Sequence, residues 1–100
     1  MKYILQVDFP HEGVFGEEFS KTFTELAHDI SNEAGLIWKI WTENEQTKEA
    51  GGIYLFDNLS DADRYLAKHT KRLASFGYKN IRSRIFTANE ALSNITKADI

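Results

Sequence analysis

Cysteine is absent from this chain of 100 residues, which removes disulfides, thiolate metal ligands and a cysteine nucleophile together. Proline occurs only at Pro10. Basic residues are in the minority: 12 Lys and Arg against 15 Asp and Glu give a net charge of −3, with no general attraction to nucleic acid or to an anionic membrane. No apolar run approaches the ~20 residues that span a bilayer. The opening MKYILQVDFP lacks the apolar stretch of a signal peptide, since Asp8 interrupts it. A soluble cytoplasmic protein is expected. The three histidines form neither an i,i+4 pair nor a His-Glu-x-x-His motif, so a metal site is not expected. Repeats, linkers and low-complexity stretches are missing too, which leaves one domain over residues 1–100.

Aromatic residues are plentiful. They make up 13% of a chain whose size permits burial of only roughly 60–70% of its unfolded surface. So many large rings predict further burial through self-association.

Hydrophobic periodicity divides the chain into six main elements. KYILQVDF alternates as a strand, with Tyr3, Leu5, Val7 and Phe9 on one face and Ile4, Gln6 and Asp8 on the other. After the loop PHEGVFG, the residues Phe19, Phe23, Leu26, Ala27, Ile30 and Ala34 recur every three or four positions, the stripe of a helix that Gly35 ends. Two strands follow, roughly 36–43 and 50–56, joined by NEQTK. A second helix is expected from Ser60, capped by that serine with Asp61 and Asp63 in its first turn, and stopped by Gly77. Its stripe is Ala62, Tyr65, Leu66, His69, Leu73 and Phe76. NIRSRIFT reads as the fourth strand. NEALSNITKADI reads as a short helix capped by Asn89, or as an arm laid on a partner. The order β-α-β-β-α-β predicts an α+β, ferredoxin-like fold, in which two helices cover one face of a four-stranded antiparallel sheet.

The helices can cover only one sheet face. Its more apolar set, Leu5, Val7, Trp38, Ile40, Ile53, Leu55, Ile81 and Ile85, is expected beneath the helices. The other set is Gln6, Asp8, Lys39, Trp41, Tyr54, Phe56, Arg82, Arg84 and Phe86, too aromatic for water and too charged for a dry core. A homodimer closed sheet against sheet would cover it, which makes Lys39, Trp41 and Phe56 expected dimer-face residues.

The runs GLIWKIWTE, EAGGIYLF, YLAKHTKRL and NEALSNI together resemble the YdhR-like family of putative monooxygenases, from the first strand to the tail. The resemblance implies a dimeric α+β barrel. It also implies kinship with small oxygenases that turn polycyclic phenols into quinones with O₂ and without metal or flavin. No cofactor is therefore expected, and the expected partners are a second copy of the chain, a small aromatic substrate and O₂.

Such chemistry needs aromatic walls, a titratable base and groups that stabilise an anion. His69, in the middle of the second helix's apolar stripe, is the candidate catalytic base; the competing reading is a hydrogen-bonded core histidine. Trp38 and Tyr65 would wall a pocket beside it, with ordinary core packing as the alternative for Trp38. Arg72 borders the stripe on the Tyr65 side, where it can reach a substrate oxygen or simply snorkel to water. Tyr54 is the remaining candidate substrate contact, although strand parity groups it with the barrel face. His11 is expected in a solvated loop, and Gly51 and Gly52 either form a bulge or admit close approach of a backbone or ligand. The alternative to an enzyme is a non-catalytic dimeric carrier or sensor for a small aromatic metabolite. RNA binding, the other use of this element order, lacks a basic stripe here.

Overall fold

A computed structural model describes residues 1–100. Its elements are β1 (Tyr3–Pro10), α1 (Glu17–Ile30), β2 (Leu36–Asn44), β3 (Glu49–Phe56), α2 (Leu59–Ser75), β4 (Arg82–Thr87) and α3 (Glu90–Ile95). The four strands form one antiparallel sheet in the order β2-β3-β1-β4. This is the expected ferredoxin-like α+β arrangement. No helix is long and apolar enough to cross a membrane.

Local chemistry accounts for the boundaries. Asn58 caps α2, its side-chain oxygen accepting from the Asp61 amide at 2.8 Å, so the helix starts before Ser60. Its end is closed by Gly77 at φ 96°, with Tyr78 donating its amide back to the Leu73 carbonyl at 3.1 Å. The tail forms the capped helix of the two expected alternatives: Asn89 accepts from the Leu92 amide at 3.0 Å.

Register decides which side chains meet the helices. Leu5 pairs with Tyr54 on one side and Ile85 on the other, and Val7 pairs with Gly52 and Ser83. In β2, Lys39 lies opposite Tyr54 and Trp41 opposite Gly52. All these residues therefore share the face of Leu5 and Val7, which pack with Phe9, Phe19, Ile30, Tyr54, Phe56, Ala62, Tyr65 and Leu73 in the core. Each large apolar side chain sealed there contributes roughly 1.5–3 kcal/mol.

This corrects the expected assignment of two strands. Trp38, Ile40, Ile53 and Leu55 lie on the open face, whereas Lys39, Trp41, Tyr54 and Phe56 lie beneath the helices. The register between β2 and β3 is irregular between Leu36 and Trp38. Leu36 faces the core, Ile37 is the unpaired extra residue, 45% exposed, and Trp38 starts on the opposite face. Leu5, Val7, Ile81 and Ile85 keep their expected side, although Ile81 precedes β4 rather than lying in it.

The open face is consequently more apolar than expected along β2 and β3. Ile40 is 54% exposed and Phe86 47%. Gln6, Asp8, Arg82 and Arg84 line a concavity of 560 Å³ on the β1–β4 half. Apolar groups on both sheet faces, with helices covering only one, leave a patch of the kind that meets another surface.

Candidate active site

On α2, Tyr65 and His69 are four residues apart, so both rings descend onto β3 from one helix face. They stack with centroids 5.1 Å apart and planes at 21°. Tyr65 also packs against Tyr54 at 5.0 Å and Phe56 at 5.5 Å, and its hydroxyl donates to the Tyr54 hydroxyl at 3.1 Å. Burial pushes the Tyr65 phenol up to about 12 and the Tyr54 phenol higher still. Near neutral pH both remain protonated, and Tyr54 keeps a donor O–H to offer.

Arg72, one helical turn beyond His69, closes around it. Its Nε and Nη2 lie 3.2 and 3.0 Å from His69 Nδ1, and its Nη1 donates to Asp29 Oδ2 at 2.9 Å. An arginine has only donors, so Nδ1 is the acceptor and the imidazole proton sits on Nε2. Burial, then the charges of Lys39, Arg72 and Lys68, holds the His69 pKa down at about 3. His69 is thus a neutral ring that offers an N–H; with Nδ1 already engaged, the proton-accepting role suggested by the sequence has no free nitrogen.

Lys39 reaches the same region from β2. Its Nζ lies 3.3 Å from the Trp41 ring centroid and 4.7 Å from that of Tyr54. The space for this comes from Gly52, where a Cβ would fall 2.6 Å from Lys39 Cε. No carboxylate pairs with Lys39, neither Asp8 of β1 nor Glu43 of its own strand. Glu43 instead accepts from the Gly16 amide at 2.6 Å. Burial, and secondarily Arg72, brings the Lys39 pKa down to about 7.

Two hollows adjoin these groups. A small inner cavity of 20 Å³ is lined by Lys39, Trp41, Gly52, Tyr54 and His69, together with apolar residues that include Phe19 and Phe23. It holds about one water. An outer groove of 290 Å³ runs between α1 and β2, bounded by Phe19, Phe23, Ala27, His28, Trp41 and Glu43. Phe19, Phe23 and Trp41 belong to both. They are the partition between them.

Of the residues the sequence nominated, His69, Tyr65, Tyr54 and Arg72 converge. Trp38 does not join them, because the bulge at Ile37 turns it to the other face. Trp41 takes its place, packed on Phe19 and Phe23 at 6.4 and 6.3 Å. Lys39 and Phe56, expected on the dimer face, are likewise helix-side. His11 is 5% exposed rather than solvated: it bonds the Val14 carbonyl through Nε2 and the Tyr78 hydroxyl through Nδ1, both at 2.8 Å. It pins the β1–α1 loop to the chain ahead of β4. Nowhere do three or more His, Cys, Asp or Glu side chains converge as metal ligands.

The family described as "Putative mono-oxygenase ydhR" matches residues 4–99. The chain belongs to that family. Among solved structures, SnoaB, a cofactor-independent oxygenase from Streptomyces nogalater, is similar at a TM-score of 0.63 and 17% identity, over 88% of this chain and 93% of that one. A putative antibiotic biosynthesis monooxygenase from Deinococcus radiodurans gives 0.64 at 12% identity, over 87% and 92%. Protein SO0527 from Shewanella oneidensis gives 0.61 at 13%, over 85% and 88%. At these identities the likeness is one of fold. None of the curated proteins matches the chain. The ydhR-family assignment and the shared ferredoxin-like fold agree with what the WKIWTE and EAGGIYLF runs implied.

Proposed function

We propose that this ydhR-family protein is a cofactor-independent monooxygenase that oxidises electron-rich phenolic or polycyclic aromatic molecules with O₂ at the helix-side site. The observation that carries this is the set of donors gathered at an aromatic cavity: the Tyr54 hydroxyl, the neutral His69 ring and Lys39. Donors without a facing free carboxylate suit a substrate that becomes an anion.

The chemistry balances without a cofactor when the substrate is sufficiently electron-rich. For an anthrone, the ring CH₂ becomes C=O; one atom of O₂ enters the product and the other leaves as water. All four electrons come from the substrate. The protein's part is to favour the enolate or phenolate form, hold it against the rings and keep bulk water away. His69, held by Arg72 and Asp29, and Tyr54, held by Tyr65, direct their N–H and O–H at the developing oxyanion. The inner cavity admits no ring in its closed form, so Phe23 and Trp41 swing aside to join it to the outer groove, which lies just under the usual range for ligand sites.

The working unit is a homodimer closed sheet against sheet into an α+β barrel. Its support is the open face of Trp38, Ile40, Ile53 and Phe86, and the α3 side chains Leu92 and Ile95, 63% and 77% exposed. Exposed apolar side chains of this kind suit contact with a second subunit.

The test is oxygen uptake by chelator-treated protein over a panel of anthrones and naphthols, whose conversion to quinones requires an inserted oxygen atom. Quinone formation faster than autoxidation is the expected result. Saturable quenching of tryptophan fluorescence by the same compounds, without uptake and with the ligand recovered unchanged, would establish a carrier or sensor instead.

A further inference from the structure

We propose that Lys39 is the proton acceptor of this site: its uncharged amine removes the acidic proton of a flat phenolic or enolisable ligand, and the ammonium so formed becomes the anion's counter-ion. The inference rests on the oxygenase reading for its substrate class, but on this chain's own geometry for the assignment.

The groups facing Lys39 leave few alternatives. From β3, Tyr54 is a phenol held protonated by burial. From α2, Tyr65 donates to Tyr54, His69 has its acceptor nitrogen covered, and Arg72 and Lys68 are cations. The carboxylates nearby are already engaged: Asp29 with Arg72, Glu33 with Lys68, and Glu43 with the Gly16 amide. The helix-side residues of β1 are Leu5, Val7 and Phe9, none of them titratable. Tyr78, ahead of β4, is bound to His11. Lys39 alone faces the cavity with neither a hydrogen bond nor an ion pair, lying over two ring faces.

An unpaired cation among aromatic walls is costly, and either of two events relieves it: loss of the proton or arrival of an anion. The proposed step couples them. The ligand's O–H bond (or acidic C–H bond) breaks, an N–H bond forms at Nζ, and the electron pair stays on the ligand. No electron leaves the ligand in this step; it creates an anion beside an ammonium, with the anion's ring against Trp41 and Tyr54. Gly52 contributes by leaving the lane along which the lysine stem crosses β3. Burial places the Lys39 proton affinity near neutrality, the range a base at this position needs.

A flat polycyclic phenol less acidic than the Lys39 ammonium, 1-hydroxyanthraquinone, whose colour reports its ionisation, is the probe. At a pH above the Lys39 value of about 7 and below the dye's own, where the free dye is neutral and the amine uncharged, the wild type is expected to bind it with the spectrum of the anion. Lys39→Met, an uncharged replacement of similar length, should bind roughly 10- to 100-fold more weakly and leave the dye's colour unchanged. Lys39→Arg keeps a cation but cannot accept a proton at these pH values. It should retain anion binding and lose turnover of any substrate found in the oxygen-uptake panel, with no rate-limiting ionisation near neutrality. A Lys39→Met protein of unchanged circular dichroism that still ionises the dye would overturn the proposal. So would a Lys39→Arg protein with the wild-type pH–rate profile. Lys39-dependent ionisation of the dye without oxygen uptake on any phenol would sink the oxygenase reading and leave the role of Lys39 standing.

Discussion

Replacing Lys39 with Met should make the protein more stable, and the gain should vanish as the pH rises. Lys39 drops from an ordinary 10.5 to about 7 on folding. At about 1.4 kcal/mol for each tenfold change in proton affinity, the protonated lysine opposes folding by up to about 5 kcal/mol. The residue is only partly buried, and water screening reduces this to a working figure of about 2–3 kcal/mol. The sign follows from proton counts. Below pH 7 folded and unfolded chains both carry the proton, so the wild type bears the whole penalty. Between about 7 and 10.5 the unfolded chain binds more protons than the folded one, and wild-type stability rises with pH. Methionine fills the same channel over Trp41 and Tyr54 without a charge. Urea unfolding followed by far-ultraviolet circular dichroism measures both proteins across this range. Lys39→Met should lead by about 2–3 kcal/mol below pH 7, and the lead should shrink steadily above it. A difference that does not change with pH would refute the account of Lys39 as an unpaired, desolvated cation.

Three further outcomes follow from the same geometry. His69, held down at about 3 from 6.5, withholds a proton that the unfolded chain accepts, so wild-type stability falls as pH drops from 6.5 toward 3; acid titration of ellipticity for His69→Gln should show a flatter limb. At Gly51 a Cβ would lie 2.0 Å from the Val7 carbonyl oxygen, whereas at Gly52 the first obstacle is the mobile end of Lys39 at 2.6 Å. Gly51→Ala should therefore cost roughly 1–3 kcal/mol or more in chemical denaturation, and Gly52→Ala much less, while displacing Lys39 from the Trp41 face. Ile40→Asp, on the open face of the edge strand β2, should convert the proposed dimer to a monomer in sedimentation at micromolar concentration without altering the subunit's circular dichroism.

Element order was readable because strand and helix periods are distinct and the caps are conventional. The Phe19, Phe23, Leu26, Ile30 stripe and the terminating Gly77 required nothing from tertiary structure. Gly35, in contrast, does not end α1 as expected: the helix stops at Ile30 with Ser31 as its cap, and Gly35, at φ 79°, belongs to the turn that leads into β2. Facing was legible in β1, where Leu5 and Val7 contrast with Gln6 and Asp8. In β2 and β3 it was not, because both parities are apolar: Trp38, Ile40, Ile53 and Leu55 on one, Trp41, Tyr54 and Phe56 on the other. A preference for aliphatic groups inward then chose the wrong set. The deciding facts are the bulge at Ile37 and the pairing of Leu5 with Tyr54, and a single strand's alternation contains neither. Gly52 was the one local signal, since a glycine between aromatic neighbours marks a place where something large crosses. That something is Lys39. His69 with Tyr65 and Arg72 came directly from helical spacing. His11 did not, because its partners Val14 and Tyr78 meet only when the loop folds over the end of the sheet. Nor did the cap of α2: Asn58 and Ser60 are both good caps, and the choice between them depends on where β3 releases the chain.

The central claim is that one oxygen atom of O₂ enters an aromatic substrate held between α2 and β3, with the substrate as the sole reductant. Turnover of an anthrone by chelator-treated protein under ¹⁸O₂, with product mass read immediately, tests it most directly. The account predicts one labelled oxygen per quinone formed, at a rate above autoxidation and sharply reduced in Lys39→Met. An unlabelled product, or label gained at the same rate without protein, would contradict it.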